Sequence, residues 1–271
     1  MNKFAERVRE TPSVREPAYR PVMYLSDEEK AQLAAKIGDA GIYADLTTMR
    51  ELVKQQPENL EFRKALVSGI ASAEFAGIDA FSRKVVEWQE WPVPQTLITA
   101  MARQTWDEVR HAWLAIGLIE SYGGEIGDYP DTLAGGAPPS VSPQGPLSQG
   151  FGSSAAEALM REPVVSLSMT NVSLEGQALT LFQETSAVGE KIGDHLMAHC
   201  YDYNWADEVT HTAIGDYFVK LLTENNPAEE AKALRVHAMA EAFRARLSGQ
   251  QSDELKEFFA EEMTRATAAL G

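Results

Sequence analysis

Apolar residues recur along this chain at intervals of three and four, the period of one helical face, and nowhere alternate as strands between hairpin turns. The pattern predicts an all-α fold. Residues 1–25, with three prolines and no period, read as an extended arm, and Ser26 with Glu29 reads as a capping box opening a helix that stops near Gly41. A short helix is expected at 48–55. A long one follows from Pro57 to about Trp88, broken by the segment WPVPQ, and the next runs from Pro94 to Tyr122, where Gly123-Gly124 ends it. Residues 123–165 are dense in Gly and Pro pairs, with a short helical piece expected at Ser154 to Met160. Two more long helices are expected at 164–188 and 194–223, separated by Gly189 to Gly193, and two C-terminal helices are punctuated by Asn226-Pro227 and Gly249 to Asp253. Two helical hairpins joined by one long connection are the pattern of a four-helix bundle with a crossover. The expected organisation is therefore an arm and short helices at 1–56, a bundle at 57–223 with its crossover at 123–165, and helices at 224–271 packing on the same domain.

Composition narrows the function classes. The 271 residues include 40 acidic and 24 basic side chains, a formal net charge of −16, which disfavours a general attraction to nucleic-acid phosphates or anionic lipid. No stretch approaches the roughly 18 apolar residues of a membrane helix. The opening MNKFAERVRE places charges where a signal peptide is apolar. The expectation is a cytoplasmic protein with neither nucleic acid nor membrane as partner. One cysteine, Cys200, excludes an intrachain disulfide and cysteine-only metal sites, and five histidines leave carboxylate-rich ligation as the available metal chemistry.

That chemistry is written twice. The second long helix carries WDEVRH, with Glu108 and His111 three apart, and the fourth carries ADEVTH, with Glu208 and His211 three apart; such pairs share a helix face. Glu74 precedes Glu108 by 34 residues (108 − 74), and Glu175 precedes Glu208 by 33 (208 − 175). In an antiparallel hairpin that separation means about 17 residues up and 17 down, roughly 25 Å each way, so each upstream Glu stands level with its partner motif. Glu74 interrupts the apolar stripe Val67, Ile70, Ala71, Ile78, Phe81 and Val85, an expensive place for a charge unless it is paired or binds metal. Four carboxylates and two neutral imidazoles balance two divalent ions. Without metal the carboxylates repel one another and are desolvated, so the metal-free form is expected to be less stable or partly protonated.

These motifs resemble the ferritin-like, carboxylate-bridged di-iron superfamily over about residues 65–220. The resemblance implies a ferritin-like four-helix bundle with Glu74, Glu108, His111, Glu175, Glu208 and His211 as metal ligands, Glu108 and Glu208 bridging. Asp107 and Asp207, each preceding a motif Glu, resemble the Asp-Glu-x-x-His pattern of soluble methane and toluene monooxygenase hydroxylases, where the Asp orients a metal-bound imidazole. Arg110 fits the frequent Asp-Glu-x-Arg-His form. Thr210 departs from it, which leaves open whether the second half has a charge network of that kind.

The resemblance implies an O2-activating di-iron oxygenase acting on a small organic molecule, hydroxylation first, with desaturation, N-oxidation or oxidative cleavage behind it. An external electron donor, a ferredoxin or flavoprotein reductase, is the implied partner; a homodimer stays open. Ligand type does not choose between two Fe ions and a Mn/Fe centre. Ala115 stands where ribonucleotide reductase small subunits carry a radical-bearing Tyr, and Asn204 where arylamine N-oxygenases carry an extra His, so neither subtype is favoured. A non-catalytic or ferroxidase-type protein is the alternative. His195 and His199 read as capping or surface residues. Trp106, Trp113, Trp205, Tyr201 and Tyr203 offer either core packing or an electron path, and Ala112, Ala115 and Gly215 either a cavity or close helix packing.

Overall fold

The computed structural model describes Val22 and residues 25–130 and 161–247. The expectations for most of the N-terminal arm, the helical piece Ser154 to Met160 and the segment beyond residue 247 lie outside these residues. Every described element is helical. None of the described helices is long and apolar enough to cross a membrane.

Helix α1 (Asp27–Ile42) opens on the expected capping box: the Ser26 Oγ accepts from the Glu29 amide at 3.2 Å, and the Glu29 carboxylate accepts from the Ser26 amide at 2.7 Å. It bends at Gly38, whose φ of +72° suits glycine. Helix α2 (Leu46–Gln55) is capped by Asp45. Helix α3 (Leu60–Glu87) starts three residues later than Pro57 suggests, because the Asn59 Oδ1 accepts from the Glu61 and Phe62 amides while Pro57 stays in the preceding turn. A 3-10 turn, Trp88–Glu90, leads towards α4 (Gln95–Ser121). That helix ends in a Schellman motif, with Gly123 at φ +72° and the Gly124 amide donating to the Ile119 carbonyl at 3.0 Å.

The third long helix is not uniform. A short α5 (Pro163–Leu167) passes through a π-helical segment, Ser168–Leu174, into α6 (Glu175–Ile192), so the wide turn ends where Glu175 begins. The break expected over Gly189 to Gly193 is shorter: the helix runs to Ile192, and Gly193-Asp194 alone turns the chain into α7 (His195–Thr223). Gly189 is instead a packing residue, since a Cβ there would lie 2.6 Å from the Ala198 amide nitrogen. Helix α8 (Pro227–Leu247) follows.

Helices α3 and α4 form one hairpin, α6 and α7 another, and the hairpins meet chiefly through α4 and α7. Helix α2 packs on α3 and α6; α8 packs on α5, the π segment and α7. The apolar core falls into two clusters. One joins α1 and α2 to Leu66, Ile70, Leu118 and Phe182; the other gathers Phe81, Trp88, Leu97, Met101, Leu167 and Phe218. Between them, on all four long helices, lies a polar layer.

At the hairpin end, Asp194 both caps α7, accepting from the Met197 amide, and accepts from Arg63 and the Tyr122 hydroxyl, each at 2.5 Å. One side chain thus ties the α6–α7 turn to α3 and α4. Asp194→Ala is expected to destabilise the fold by about 2–4 kcal/mol, the cap plus a charge-assisted hydrogen bond, measured by urea unfolding. A loss below about 0.5 kcal/mol would show the clamp to be ornamental.

Candidate metal centre

The polar layer holds the six residues singled out by spacing. Glu74 comes from α3, Glu108 and His111 from α4, Glu175 from the start of α6, and Glu208 and His211 from α7; none is more than 8% exposed. Their donor atoms form two groups, each within 4.8 Å: Glu74, Glu108 and His111, and Glu108, Glu175, Glu208 and His211. Glu108 belongs to both. Glu208 also faces both imidazoles, 3.0 Å from the His211 Nδ1 and 3.4 Å from the His111 Nδ1.

The opposite edge of each ring is fixed by an aspartate of the other motif. The His111 Nε2 lies 3.2 Å from an Asp207 oxygen, and the His211 Nε2 lies 3.2 Å from an Asp107 oxygen. Each Asp thus contacts an imidazole across the helix pair and not along its own helix. A proton held on Nε2 leaves Nδ1 with a lone pair aimed into the carboxylates, the tautomer a metal requires. Arg110 hydrogen-bonds Asp107, Tyr203 and, at 3.1 Å, Asp207. The charge network thus serves both halves despite Thr210: where α4 meets α7, one guanidinium reaches both aspartates, with Arg103 3.4 Å from Asp107 on the outside.

Electrostatics separates the inner and outer carboxylates. Burial, followed by the charges of Glu175 and Glu74, raises the Glu108 carboxyl well above its ordinary range, and burial with Glu175 and Glu108 does the same to Glu208. Burial also penalises the charged forms of Asp107 and Asp207, yet the hydrogen bonds of Asp107 with His211 and Arg110, and that of Asp207 with His111, outweigh it and hold both below their ordinary values. Burial opposes protonation of His111, but its hydrogen bond with Asp207 and the Glu74 carboxylate 3.4 Å from its Nδ1 prevail and lift it to about 9. Glu108, Glu208 and His111 are thus biased towards their protonated forms, against which a cation would compete.

Two buried atoms test the fit to metal directly. The Glu108 Oε1 and His111 Nδ1 make no hydrogen bond among the described residues, although both lie inside the cluster. Oxygen and imidazole donors with a formal ligand charge of −4 suit two hard to borderline divalent ions. The residues present fit such a pair.

Other residues support the layer and were not marked by the sequence pattern. Gln104, one turn before Glu108, donates to the Glu175 Oε1 at 2.8 Å and accepts from the Asn171 Nδ2 at 2.7 Å. Its i−4 spacing from Glu108 was the available signal. Gly77 makes room for Glu108: a Cβ there would sit 2.6 Å from the Glu108 Oε2. Gly215 serves close packing, since its Cβ would lie 2.6 Å from the Asn171 Cβ, and Ala115 belongs to an apolar cluster. His195 and His199 are exposed. Trp106, Trp113, Trp205 and Tyr203 are exposed as well; Tyr201 alone of the five aromatics leads inward, stacking on Phe182, whose ring edges against His111 with centroids 6.3 Å apart.

No family model, no curated protein and no solved structure matches the chain. The site therefore stands on its own geometry.

Gly77→Ala is expected to preserve or raise stability, with up to about 1 kcal/mol from helix propensity. It should nevertheless weaken Fe(II) or Mn(II) binding by about tenfold or more, because the new methyl displaces the shared carboxylate. Unchanged metal affinity in a competition titration would remove Glu108 from the shared position.

The protons give a second expectation. Raised folded-state pKa values favour folding at low pH: the His111 contribution is whole below 6.5 and lost through about 9, and those of Glu108 and Glu208 fade above 4.5. The metal-free chain should therefore lose thermal stability as pH rises from about 5 to 9, while metal affinity climbs over the same window. Stability that rises with pH, or a pH-independent metal affinity, would contradict the raised values of Glu108, Glu208 and His111.

Proposed function

We propose that this chain is an O2-activating non-haem di-iron oxidoreductase of the ferritin-like type, with hydroxylation of a small organic molecule as its first-choice reaction. The observation that carries the reading is the convergence of four buried glutamates and two buried histidines, each imidazole held by an aspartate from the opposite hairpin. When bound, two ferrous ions supply the electrons and Lewis acidity with which O2 is reduced and substrate oxidised.

The chain's own residues have separable tasks. Glu74, Glu108 and His111 would hold one ion, Glu175, Glu208 and His211 the other, with Glu108 and Glu208 between them. Asp107 and Asp207, kept anionic by Arg110 and the histidines, hold the imidazole Nε2 protons and stabilise positive charge at the rings. Gln104 anchors one oxygen of Glu175, the least buried of the six. The apolar clusters on either side exclude bulk water from reactive species. Electrons would come from an external donor, a ferredoxin or flavoprotein reductase.

A ferroxidase or structural metal site is the competing reading, and O2 chemistry separates them. Iron-loaded chain reduced with dithionite and freed of excess reductant is expected to consume O2 in rapid mixing. Under a supplied reductant, turnover should accelerate with a hydroxylatable substrate. The Glu108→Ala, Glu208→Ala double variant should lose at least about 100-fold of this rate. Iron oxidation that no organic substrate accelerates, across a broad set of small acids, amines and hydrocarbons, would favour the ferroxidase.

A further inference from the structure

The residues that support the metal layer follow the same near-repeat as its glutamates, and the repeat fails at one position. Gln104 stands four residues before Glu108 on α4, and Asn204 four before Glu208 on α7. Asn171 stands four before Glu175, and Ile70 four before Glu74. In one half the amides satisfy each other: the Asn171 Nδ2 donates to the Gln104 Oε1 at 2.7 Å, and the Gln104 Nε2 donates to the Glu175 Oε1 at 2.8 Å. In the other half the place of Asn171 is taken by Ile70, fully buried and with no polar atom in its side chain.

Asn204 is left unpaired as a result. It is 0% exposed, and neither its Nδ2 nor its Oδ1 makes a hydrogen bond among the described residues. An unpaired buried amide is a costly choice, since a leucine of the same branching would fill the place with no polar group to desolvate.

The amide belongs to the face of α7 that carries the metal layer. Asn204, Glu208 and His211 follow one another at four and three residues, the spacing of one helix face, and none is more than 1% exposed. The same one-turn offset on α4 brings the Gln104 amide onto Glu175. The carboxylate that corresponds to Glu175 in the repeat is Glu74, but asparagine is one methylene shorter than glutamine and makes no bond with it.

The shortfall falls on the poorer of the two donor groups. Glu74, Glu108 and His111 bring three donors together, against four for Glu108, Glu175, Glu208 and His211. The His111 Nδ1 is unbonded like the Asn204 amide, whereas the His211 Nδ1 has a Glu208 oxygen at 3.0 Å.

We propose that Asn204 is a further metal ligand, whose Oδ1 joins Glu74, Glu108 and His111 when a divalent cation is bound among them. A neutral carbonyl oxygen suits a hard to borderline ion, and it adds a donor without adding charge to a layer already crowded with carboxylates. The Nδ2 then remains a donor for a carboxylate oxygen of the same group. This ligand rests on the layer being a metal centre and is independent of its oxygen chemistry.

The test is stepwise calorimetric titration of the metal-free full chain with Mn(II), with free Mn(II) followed by EPR. Asn204→Leu is expected to weaken one of the two ions by about tenfold or more while the other keeps its natural affinity. Thermal unfolding of the metal-free variant should stay as in the natural chain or move upwards, because the unpaired amide is gone. Asn204→Asp, which keeps the oxygen, should restore the affected ion while lowering the stability of the metal-free chain, where one more carboxylate is buried. A purely structural amide predicts the reverse: Asn204→Leu unfolds at lower temperature without metal, and both ions suffer alike. That pattern, two unchanged affinities, or no recovery in Asn204→Asp overturns the ligand. If Asn204→Leu does not fold, Asn204→Ala must show the same selective loss of one ion, and equal or absent losses there overturn it too. A natural chain that takes up fewer than two ions defeats the dinuclear reading and this ligand with it, whereas natural affinities in Asn204→Leu defeat this ligand alone.

Discussion

The reciprocal pairing of each histidine with the aspartate of the other motif is the constraint on which the rest of this molecule depends. Asp207 holds His111 and Asp107 holds His211, each at 3.2 Å, so neither half of the polar layer is complete without the other hairpin. Two tasks meet in these bonds. They join α4 to α7 in a defined register, and they turn both Nδ1 atoms towards the glutamates. A shift of one residue between the hairpins would break both links and expose each imidazole to the wrong neighbours.

Burying this much charge is unfavourable unless something repays it. The outer aspartates are satisfied by arginine and histidine and held below their ordinary values, whereas Glu108 and Glu208, crowded by burial and neighbouring carboxylates, are pushed well above theirs. That contrast is what a cation site looks like from the protein's side: a rigid, paired exterior around an interior with more negative charge than it can keep. The apolar clusters above and below allow the conflict to persist, because they keep α3, α4, α6 and α7 together without help from the layer itself.

Much of this was legible in the chain. The i, i+3 spacing of Glu108 with His111 and of Glu208 with His211, and the near-equal distances back to Glu74 and Glu175, placed six side chains in one layer before any coordinates. Hairpin geometry is local enough for residue counting to capture. The exchange of aspartates was not legible, because it depends on how one hairpin docks against the other. Nor was the sharing of Arg110, which made a second arginine at position 210 unnecessary. The π segment has no composition of its own, and Pro57 mimicked a helix start that Asn59 in fact caps. Gln104 passed unmarked because a polar residue on a helix is ordinarily solvated; only burial on a particular face gives it meaning.

The central claim is that the layer is a dinuclear centre, and metal-metal distance tests it most directly. Iron K-edge X-ray absorption on chain loaded anaerobically with Fe(II) should show two irons per chain, light nitrogen and oxygen donors without sulfur, and an iron neighbour at roughly 3–4 Å. A single bound iron with no such neighbour, or sulfur among its ligands, would contradict the account.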